Sequence, residues 1–176
     1  LDIAGDEAVY SLENHAAAFQ FAVKHSIPIT AHAGESAGPE SVWETLRTCQ
    51  PSRIGHGLHS IEDQRLINEL RQRQVHLEIC PVCNVQTGSV CSLEAHPVNR
   101  LFEEGLSIGI NTDTRGVTNT TLAKEYANLA RIFGWTVDHF RLCNHHALDA
   151  SFLPTEKKIR LKAILDAYNP AQRESS

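Results

Sequence analysis

Short runs of aliphatic and β-branched residues alternate along the chain with longer amphipathic stretches. In the longer stretches apolar residues recur at helical spacing, as at Phe19, Ala22 and Val23. The short runs are bounded by glycine, proline and polar residues, as strands commonly are. The pattern predicts repeated strand and helix units, with strands at 1–5, 27–31, 53–57, 75–79 and 106–111.

Capping residues and proline mark where the helices begin and end. Pro39 lies where a first helical turn would start, and the Ser60-Ile61-Glu62-Asp63 segment reads as a capped helix start. Gly105 fits the residue that follows a helix C-terminus. Helices are predicted at 12–25, from 39, from 60, at about 97–104, and near 119–133, 136–148 and 155–168. The residues after Pro170 read as a polar, frayed tail.

Alternating strands and helices predict an α/β fold with a parallel sheet. In a (β/α)8 barrel the active residues gather from several strand ends at one face, whereas a doubly wound sheet binds ligands at one crevice. Reactive or flexible residues follow nearly every strand here, at Gly5, His32, Glu35, His56, Cys80 and Asp113. We therefore expect a (β/α)8 TIM-type barrel, of which five strands are only a part.

Composition and charge limit the kinds of molecule that the chain is expected to bind. The chain has 176 residues and a net charge of −5, which argues against a surface for nucleic acid. No apolar run approaches the ~20 residues of a transmembrane helix, so a membrane partner is not expected. Five cysteines without a recognisable signal peptide favour free thiols and a cytoplasmic location.

The residues at three of these strand ends are suited to metal-assisted chemistry. His32 and Glu35 lie on either side of a glycine bend, although Glu35 could equally favour a helix N-terminus. His56 lies between two glycines, which let a ligand approach the backbone closely. Asp113 could bind a cation or cap the next helix. Together these side chains match what a zinc hydrolase places around a water molecule.

Five ordered motifs make the pattern specific. They are DIAGDE at 2–7, HAGE at 32–35, GHG at 55–57, CPVCN at 80–84 and NTD at 111–113. In order and spacing they resemble the motifs of adenosine deaminases, and the segments 37–41 and 84–87 are similar to bacterial members. The resemblance implies a barrel enzyme that hydrolyses adenosine, and 2′-deoxyadenosine, to inosine and ammonia in purine salvage.

The resemblance also implies roles for individual residues. His32 and Asp113 would bind Zn²⁺, and Glu35 would give a proton to the purine ring nitrogen. His56 would orient or deprotonate the attacking water. Gly5 would contribute a backbone contact to the purine, which is the small-molecule partner expected.

Two further residues are assigned with alternatives. Glu78 precedes Cys80 by two positions on the same strand face, so it could hydrogen-bond His56 and set its tautomer, or pair with some other group. Thr114 stands where many members carry an aspartate that contacts the purine. Threonine brings no charge, so a related 6-aminopurine deaminase, such as an adenine deaminase, remains the alternative substrate class.

The family's His-x-His motif, which supplies two more zinc ligands, is absent from this sequence. Residues 1–176 therefore read as the C-terminal part of one catalytic barrel domain, covering strands four to eight. We expect either the missing N-terminal half of the same protein or self-association to complete it. A non-catalytic fragment and a metal hydrolase acting on a non-purine ring are the other readings.

Overall fold

Four short parallel strands lie side by side, in chain order, in the computed structural model, which describes residues 1–168. The register places His32 opposite Gly55, Gly55 opposite Glu78, and Glu78 opposite Gly109. The predicted parallel sheet is confirmed. The strands are β1 (Thr30–Ala33), β2 (Arg53–His56), β3 (His76–Ile79) and β4 (Ile108–Ile110).

Helices connect and follow the strands. They are α1 (Ala16–Lys24), α2 (Pro39–Thr48), α3 (Gln64–Arg73), α4 (Pro81–Gln86), α5 (Val98–Glu103), α6 (Arg115–Thr118), α7 (Leu122–Phe133), α8 (Val137–Ala150) and α9 (Thr155–Ala167), with 3-10 turns at Leu12–His15 and Leu58–Glu62. Gly105 adopts φ +71° directly after α5, as a residue ending a helix does. The predicted tail after Pro170 lies outside the described residues.

Two boundary predictions were wrong, and two short helices were not predicted. The capped start predicted at Ser60 belongs to the 3-10 turn, and α3 begins after Asp63, whose side chain accepts a hydrogen bond from the Arg65 amide. The helix predicted from residue 12 likewise begins as a 3-10 turn. The short helices α4 and α6 were not expected. Both follow strand ends closely, where four to six residues are too few for periodicity to signal a helix.

The first predicted strand, at 1–5, is not a strand. This segment runs beside β1, and the Leu1 and Ile3 carbonyls accept hydrogen bonds from the Thr30 and His32 amides at 3.0 and 2.9 Å. It has β1 on one side only, and in the described part of the chain the Ile3 amide has no reciprocal bond to β1. A partial ladder of this kind keeps Gly5 and Glu7 close to the end of β1.

The core lies between the sheet and its helices. Its largest cluster joins strand residues to helix residues and includes Ile54, Leu66, Leu70, Leu77, Ile79, Leu101 and Ile108. Each such side chain contributes about 1.5–3 kcal/mol when it leaves water. A second cluster lies under α1. This core supports the sheet, and the candidate site residues lie at the carboxyl end of the sheet.

All five cysteines are free thiols, as expected from their odd number. Among the described residues no helix has both the length and the apolar character needed to cross a membrane.

Candidate active site at the carboxyl ends of the strands

The carboxyl ends of the four strands surround one cavity of about 280 Å³. The cavity is lined by His32, Gly55, His56, Glu78, Cys80, Asn111, Thr112 and Asp113. Parallel strands end at the same edge of a sheet, so residues far apart in sequence meet there. The structure thus brings together His32, His56 and Asp113, which the sequence singled out from three different strands.

Two of these residues have an unusual backbone. His56 adopts φ +66° and Asp113 φ +50°, in the left-handed region that side chains other than glycine seldom occupy. Conformations of this kind cost about 1–3 kcal/mol each and cluster at functional sites. At both positions the backbone therefore turns sharply at the residue that carries the reactive side chain.

His56 is the centre of the polar contacts. Its Nε2 atom lies 3.4 Å from Glu35 Oε2 and 3.9 Å from Asp113 Oδ2, and its side chain is only 2% exposed. Burial lowers the pKa of His56, and the nearby Glu35 carboxylate opposes that shift only in part. The imidazole is therefore predominantly neutral at pH 7, which lets it accept a proton.

Asp113 is held by its neighbours. The Cys83 thiol donates to Asp113 Oδ2 at 3.0 Å, and the Thr114 hydroxyl donates to Oδ1 at 3.2 Å. Burial raises the pKa of Asp113, but the Cys83 hydrogen bond and the His56 charge outweigh it and leave the pKa below its ordinary value. Asp113 is an anion at neutral pH, and Thr114 lies beside it.

His32 is oriented from the N-terminal segment. Its Nδ1 atom lies 3.2 Å from the Ile3 carbonyl oxygen and 3.8 Å from Asp2 Oδ1. When Nδ1–H donates there, Nε2 is left with a free lone pair, as in most metal-binding histidines. His32 therefore fits the role of a metal ligand.

Three possible metal-binding side chains form a group beside His32. Ligand atoms of His56, Cys80 and Asp113 all lie within 4.8 Å of one another. Burial raises the pKa of Cys80 far above its ordinary value, so the sulfur is a protonated thiol. Nitrogen and carboxylate donors at one cavity suit zinc, and His32 with Asp113 provides both.

Glu78 does not reach His56 by a hydrogen bond in the described structure. Its carboxylate lies 3.5 Å from Arg53 Nε and accepts a bond from the Thr30 hydroxyl at 3.3 Å. The alternative pairing raised for Glu78 is the one observed. The strand register explains this pairing. Glu78 on β3 lies between Gly55 on β2 and Gly109 on β4. Because Gly55 has no side chain, the Glu78 carboxylate can reach across it to β1.

Gly5 lies outside the cavity that holds His56. It lines an adjoining space of about 510 Å³ between the N-terminal segment, α1 and α2, and His32 forms part of both walls. His32 is therefore the residue that the two spaces share.

Asn84 was missed as a site residue. Fully buried, it donates from Nδ2 to His56 Nδ1 at 3.0 Å and to Glu35 Oε1 at 3.2 Å. His96 Nε2 lies 3.4 Å from Asn84 Oδ1, and His96 Nδ1 accepts a bond from the Val98 amide. His96 is buried, and burial lowers its pKa to about 4.

Glu7 and Glu125 were also missed. Glu7 accepts hydrogen bonds from four consecutive backbone amides, at residues 34–37, next to Glu35. Glu125 is fully buried and accepts from the Val82 amide, at the start of the helix that carries Asn84. Only the position of Glu7 inside the DIAGDE motif signalled it, and nothing in the helical pattern of α7 marked Glu125 as polar and buried.

A parallel sheet with connecting helices, whose carboxyl ends carry histidines and carboxylates, is typical of (β/α) barrel enzymes. The sequence comparisons identify which ones. A model of the adenosine deaminase family matches residues 1–168. The chain belongs to the adenosine deaminase family.

Two curated relatives show how far the similarity extends. An adenosine deaminase of Shigella boydii is 38% identical over 162 residues, which cover 92% of this chain and 49% of that protein. An adenosine deaminase of Clostridium acetobutylicum is 35% identical over 166 residues, covering 94% and 50%. The chain spans about half the length of the curated relatives it matches.

Solved structures agree on the fold. An adenine deaminase from Arthrobacter aurescens superposes with a TM-score of 0.89 at 23% identity, covering 94% of this chain and 50% of that one. The apo N6-methyl-AMP deaminase of Arabidopsis thaliana gives 0.85 at 29% identity, covering 97% and 50%. The four-stranded sheet is therefore part of a TIM-type barrel, which confirms the predicted fold class.

Proposed function

We propose that the parent protein, meaning the natural protein whose sequence includes these 176 residues, is a zinc-dependent deaminase that converts adenosine to inosine and ammonia. The observation that carries the proposal is the convergence of Glu35, His56 and Asp113 at the strand ends of a chain in the adenosine deaminase family. 2′-Deoxyadenosine, which differs only on the sugar, is included as a substrate.

His32 and Asp113 are the residues of this chain that would hold the zinc ion. Bound zinc supplies a Lewis acid that brings the pKa of a water molecule toward ~7. The free Nε2 of His32 and the anionic carboxylate of Asp113 suit that ion.

The chain's own residues then orient the water and supply a proton. His56, neutral and buried, orients the attacking water. Glu35 donates a proton to the purine ring nitrogen as the water oxygen attacks the carbon that bears the amino group. The bond from this carbon to the amino nitrogen then breaks. Of the two water protons, one leaves with the amino group as ammonia and the other replaces the proton that Glu35 gave. Gly5 offers a backbone contact to the purine from the adjoining space.

A related 6-aminopurine is the second candidate substrate, and Thr114 favours it. The Thr114 hydroxyl donates to Asp113, so the position brings the purine neither a charge nor a free donor. Adenine and N6-methyl-AMP, the substrates named for the two structural neighbours, belong in the assay for that reason.

We also propose that residues 1–176 are the C-terminal part of one barrel domain and need a further segment for activity. In support, the chain spans half of its relatives, and no strand pairs with the outer edge of β4 among residues 1–168. An unpaired edge favours association with another strand. The missing N-terminal half is the proposed partner, and self-association is the other outcome. Free thiols support a reducing compartment such as the cytoplasm.

The test is amine release by the parent protein, supplied with zinc: ammonia from adenosine, 2′-deoxyadenosine and adenine, and methylamine from N6-methyl-AMP. We expect turnover of adenosine, and a loss of at least about 100-fold in His56→Ala. His59→Ala is the matched control, because His59 pairs with Glu62 outside the cavity. Turnover of adenine or N6-methyl-AMP with none of adenosine would establish the second candidate, and silence on all four would refute both.

A further inference from the structure

The loop that carries Glu35 is bound by a single carboxylate, that of Glu7. Glu7 Oε1 accepts hydrogen bonds from the amides of Glu35, Ser36 and Ala37 at 2.6, 2.5 and 3.0 Å. Glu7 Oε2 accepts from the Gly34 amide at 2.6 Å and from the Ser41 hydroxyl at 2.5 Å. The Ser36 hydroxyl adds a longer bond to Oε1 at 3.4 Å, so six donors converge on one side chain that lies 27 or more positions earlier in the sequence.

Consecutive backbone amides that converge on one point form an anion-binding concavity, and bonds from them to a carboxylate are about twice as strong as neutral ones. Burial raises the pKa of Glu7, but the bonds from Ser41 and from the backbone amides outweigh it and leave the pKa below its ordinary value. Glu7 is thus an anion at neutral pH and can accept these bonds together.

The loop is also held at Gly34, whose carbonyl accepts a hydrogen bond from the His59 amide at 3.1 Å. Gly34 turns the chain with φ +66°, and a Cβ atom there would lie 2.6 Å from Val42 Cγ2. On the opposite side the Glu35 carboxylate contacts Asn84, Thr87 and His56. Glu7 therefore fixes the backbone of Glu35, while Asn84 and Thr87 fix its carboxylate.

We propose that Glu7 is a positioning residue, which locks the 34–37 backbone to the N-terminal segment and so aims the Glu35 carboxylate at His56. The consequence for catalysis rests on the proposed function. The clamp itself is a structural property that can be measured without it. Through Glu7 the segment that contains Gly5 and the loop that contains Glu35 move as one unit.

Glu7→Gln is the sharpest variant. It keeps the size of the side chain, but one oxygen becomes an NH2 group that faces amide donors. Glu40→Gln is the matched control, because Glu40 is exposed on α2 and forms no hydrogen bond in the described part of the chain. The first measurement is hydrogen exchange of the 34–37 amides in the 176-residue chain.

In Glu7→Gln we expect the acceleration of exchange at these amides to exceed that at Leu77 and Ile79 in β3 by at least about 10-fold. A general loss of stability would accelerate both groups together, and unchanged exchange at 34–37 would show that Glu7 clamps nothing. Either result overturns the proposal. If Glu7→Gln fails to fold, Glu7→Asp, which keeps the charge but shortens the reach, gives the same comparison.

The second measurement is steady-state kinetics of the parent protein. Since Glu35 acts in the transition state, we expect kcat per folded molecule to fall about 10- to 100-fold in Glu7→Gln, with KM within about threefold. Glu40→Gln should match the wild type. An unchanged kcat per folded molecule would show that Glu7 does not position Glu35 for catalysis. A parent protein that releases no ammonia refutes the proposed function instead, and the exchange measurement still decides the clamp.

Discussion

Asn84 donates a hydrogen bond from Nδ2 to Nδ1 of His56 across 3.0 Å, and the same nitrogen lies 3.2 Å from Glu35 Oε1. One buried amide group thus contacts both His56, which orients the water, and Glu35, which gives the proton. Because His56 Nδ1 accepts this bond, neutral His56 carries its hydrogen on Nε2, directed at the Glu35 and Asp113 carboxylates. The tautomer follows from a residue on α4, and Glu78 takes no part in it.

Replacing Asn84 with aspartate should reverse this bond. The carboxylate introduced by Asn84→Asp accepts where the amide donated, so neutral His56 should move its hydrogen to Nδ1. We expect a change in the ¹⁵N shifts of the His56 ring in NMR spectra of the chain, and a loss of about 10- to 100-fold in kcat/KM of the parent protein. The exposed Asn68→Asp variant on α3 is the control. An unchanged His56 tautomer in Asn84→Asp would contradict this account.

Glu125 should stabilise α4 through its hydrogen bonds. Glu125→Ala leaves the Val82 amide and the Thr120 hydroxyl without their acceptor, so the free energy of unfolding should fall by about 1–3 kcal/mol. Glu125→Gln should cost less, because an amide can still serve both groups. Denaturant unfolding measures both variants. Glu156→Ala, on the exposed face of α9, should stay within about 0.5 kcal/mol of the wild type.

The pH dependence of Glu125→Gln gives a further check on that interaction. Burial raises the pKa of Glu125 above its ordinary value of 4.5, and its hydrogen bonds oppose this only in part. The folded state therefore prefers the protonated acid, so the stability from this group is complete below 4.5 and is lost as pH rises through the folded pKa. Relative to the wild type, Glu125→Gln should gain stability between pH 4.5 and pH 7, and a difference that does not vary with pH would contradict the shift.

Gly57 should not tolerate a side chain. It follows His56 with φ +67°, and an added Cβ would lie 2.8 Å from Leu77 Cδ2 in the core. We expect Gly57→Ala to lower the free energy of unfolding by about 1–3 kcal/mol. Gly116→Ala is the matched control, because Gly116 lies in α6 with open space around it and no positive φ. Equal stability of the two variants would show that the turn after β2 is not strained.

The stability contributed by Glu7 should change with pH in the opposite direction to that contributed by Glu125. Its folded pKa is below the ordinary 4.5, so its contribution is complete above 4.5 and is lost as pH falls through the folded pKa. The difference in unfolding free energy between the wild type and Glu7→Gln should therefore shrink as pH falls from 6 toward 3, in a series of denaturant titrations. The titratable groups that share its cavity are common to both proteins, namely Asp2, Asp6, His15, His32 and Glu44. A difference that stays constant with pH would contradict the lowered pKa.

The sequence was sufficient to predict the parallel sheet and the meeting of His32, His56 and Asp113. Strand ends are readable because apolar runs stop at glycine and polar residues, and parallel strands bring those ends to one face. The segment at 1–5 was misjudged because its composition is that of a strand, whereas a strand also needs a complete hydrogen-bond ladder to a neighbour, and β1 forms only a partial one with it. Composition alone carries no information about that neighbour.

The supporting residues could not be predicted from spacing. Glu7, Asn84 and Glu125 act over 27 or more positions of sequence, through bonds to loop amides, a histidine and a helix start. Such contacts depend on how the loops pack, which no local period encodes. The same limit explains Glu78, whose strand face was read correctly but whose partner was set by the register with β2 and β1.

The most direct measurement is ammonia release from adenosine by the zinc-supplied parent protein, with Glu35→Gln compared with Glu40→Gln. These variants remove the same charge on residues five positions apart, one in contact with His56 and the other exposed. The account predicts turnover by the wild type and Glu40→Gln, and a loss of at least about 100-fold in kcat for Glu35→Gln. Full activity of Glu35→Gln, or no ammonia from the wild type, would contradict it.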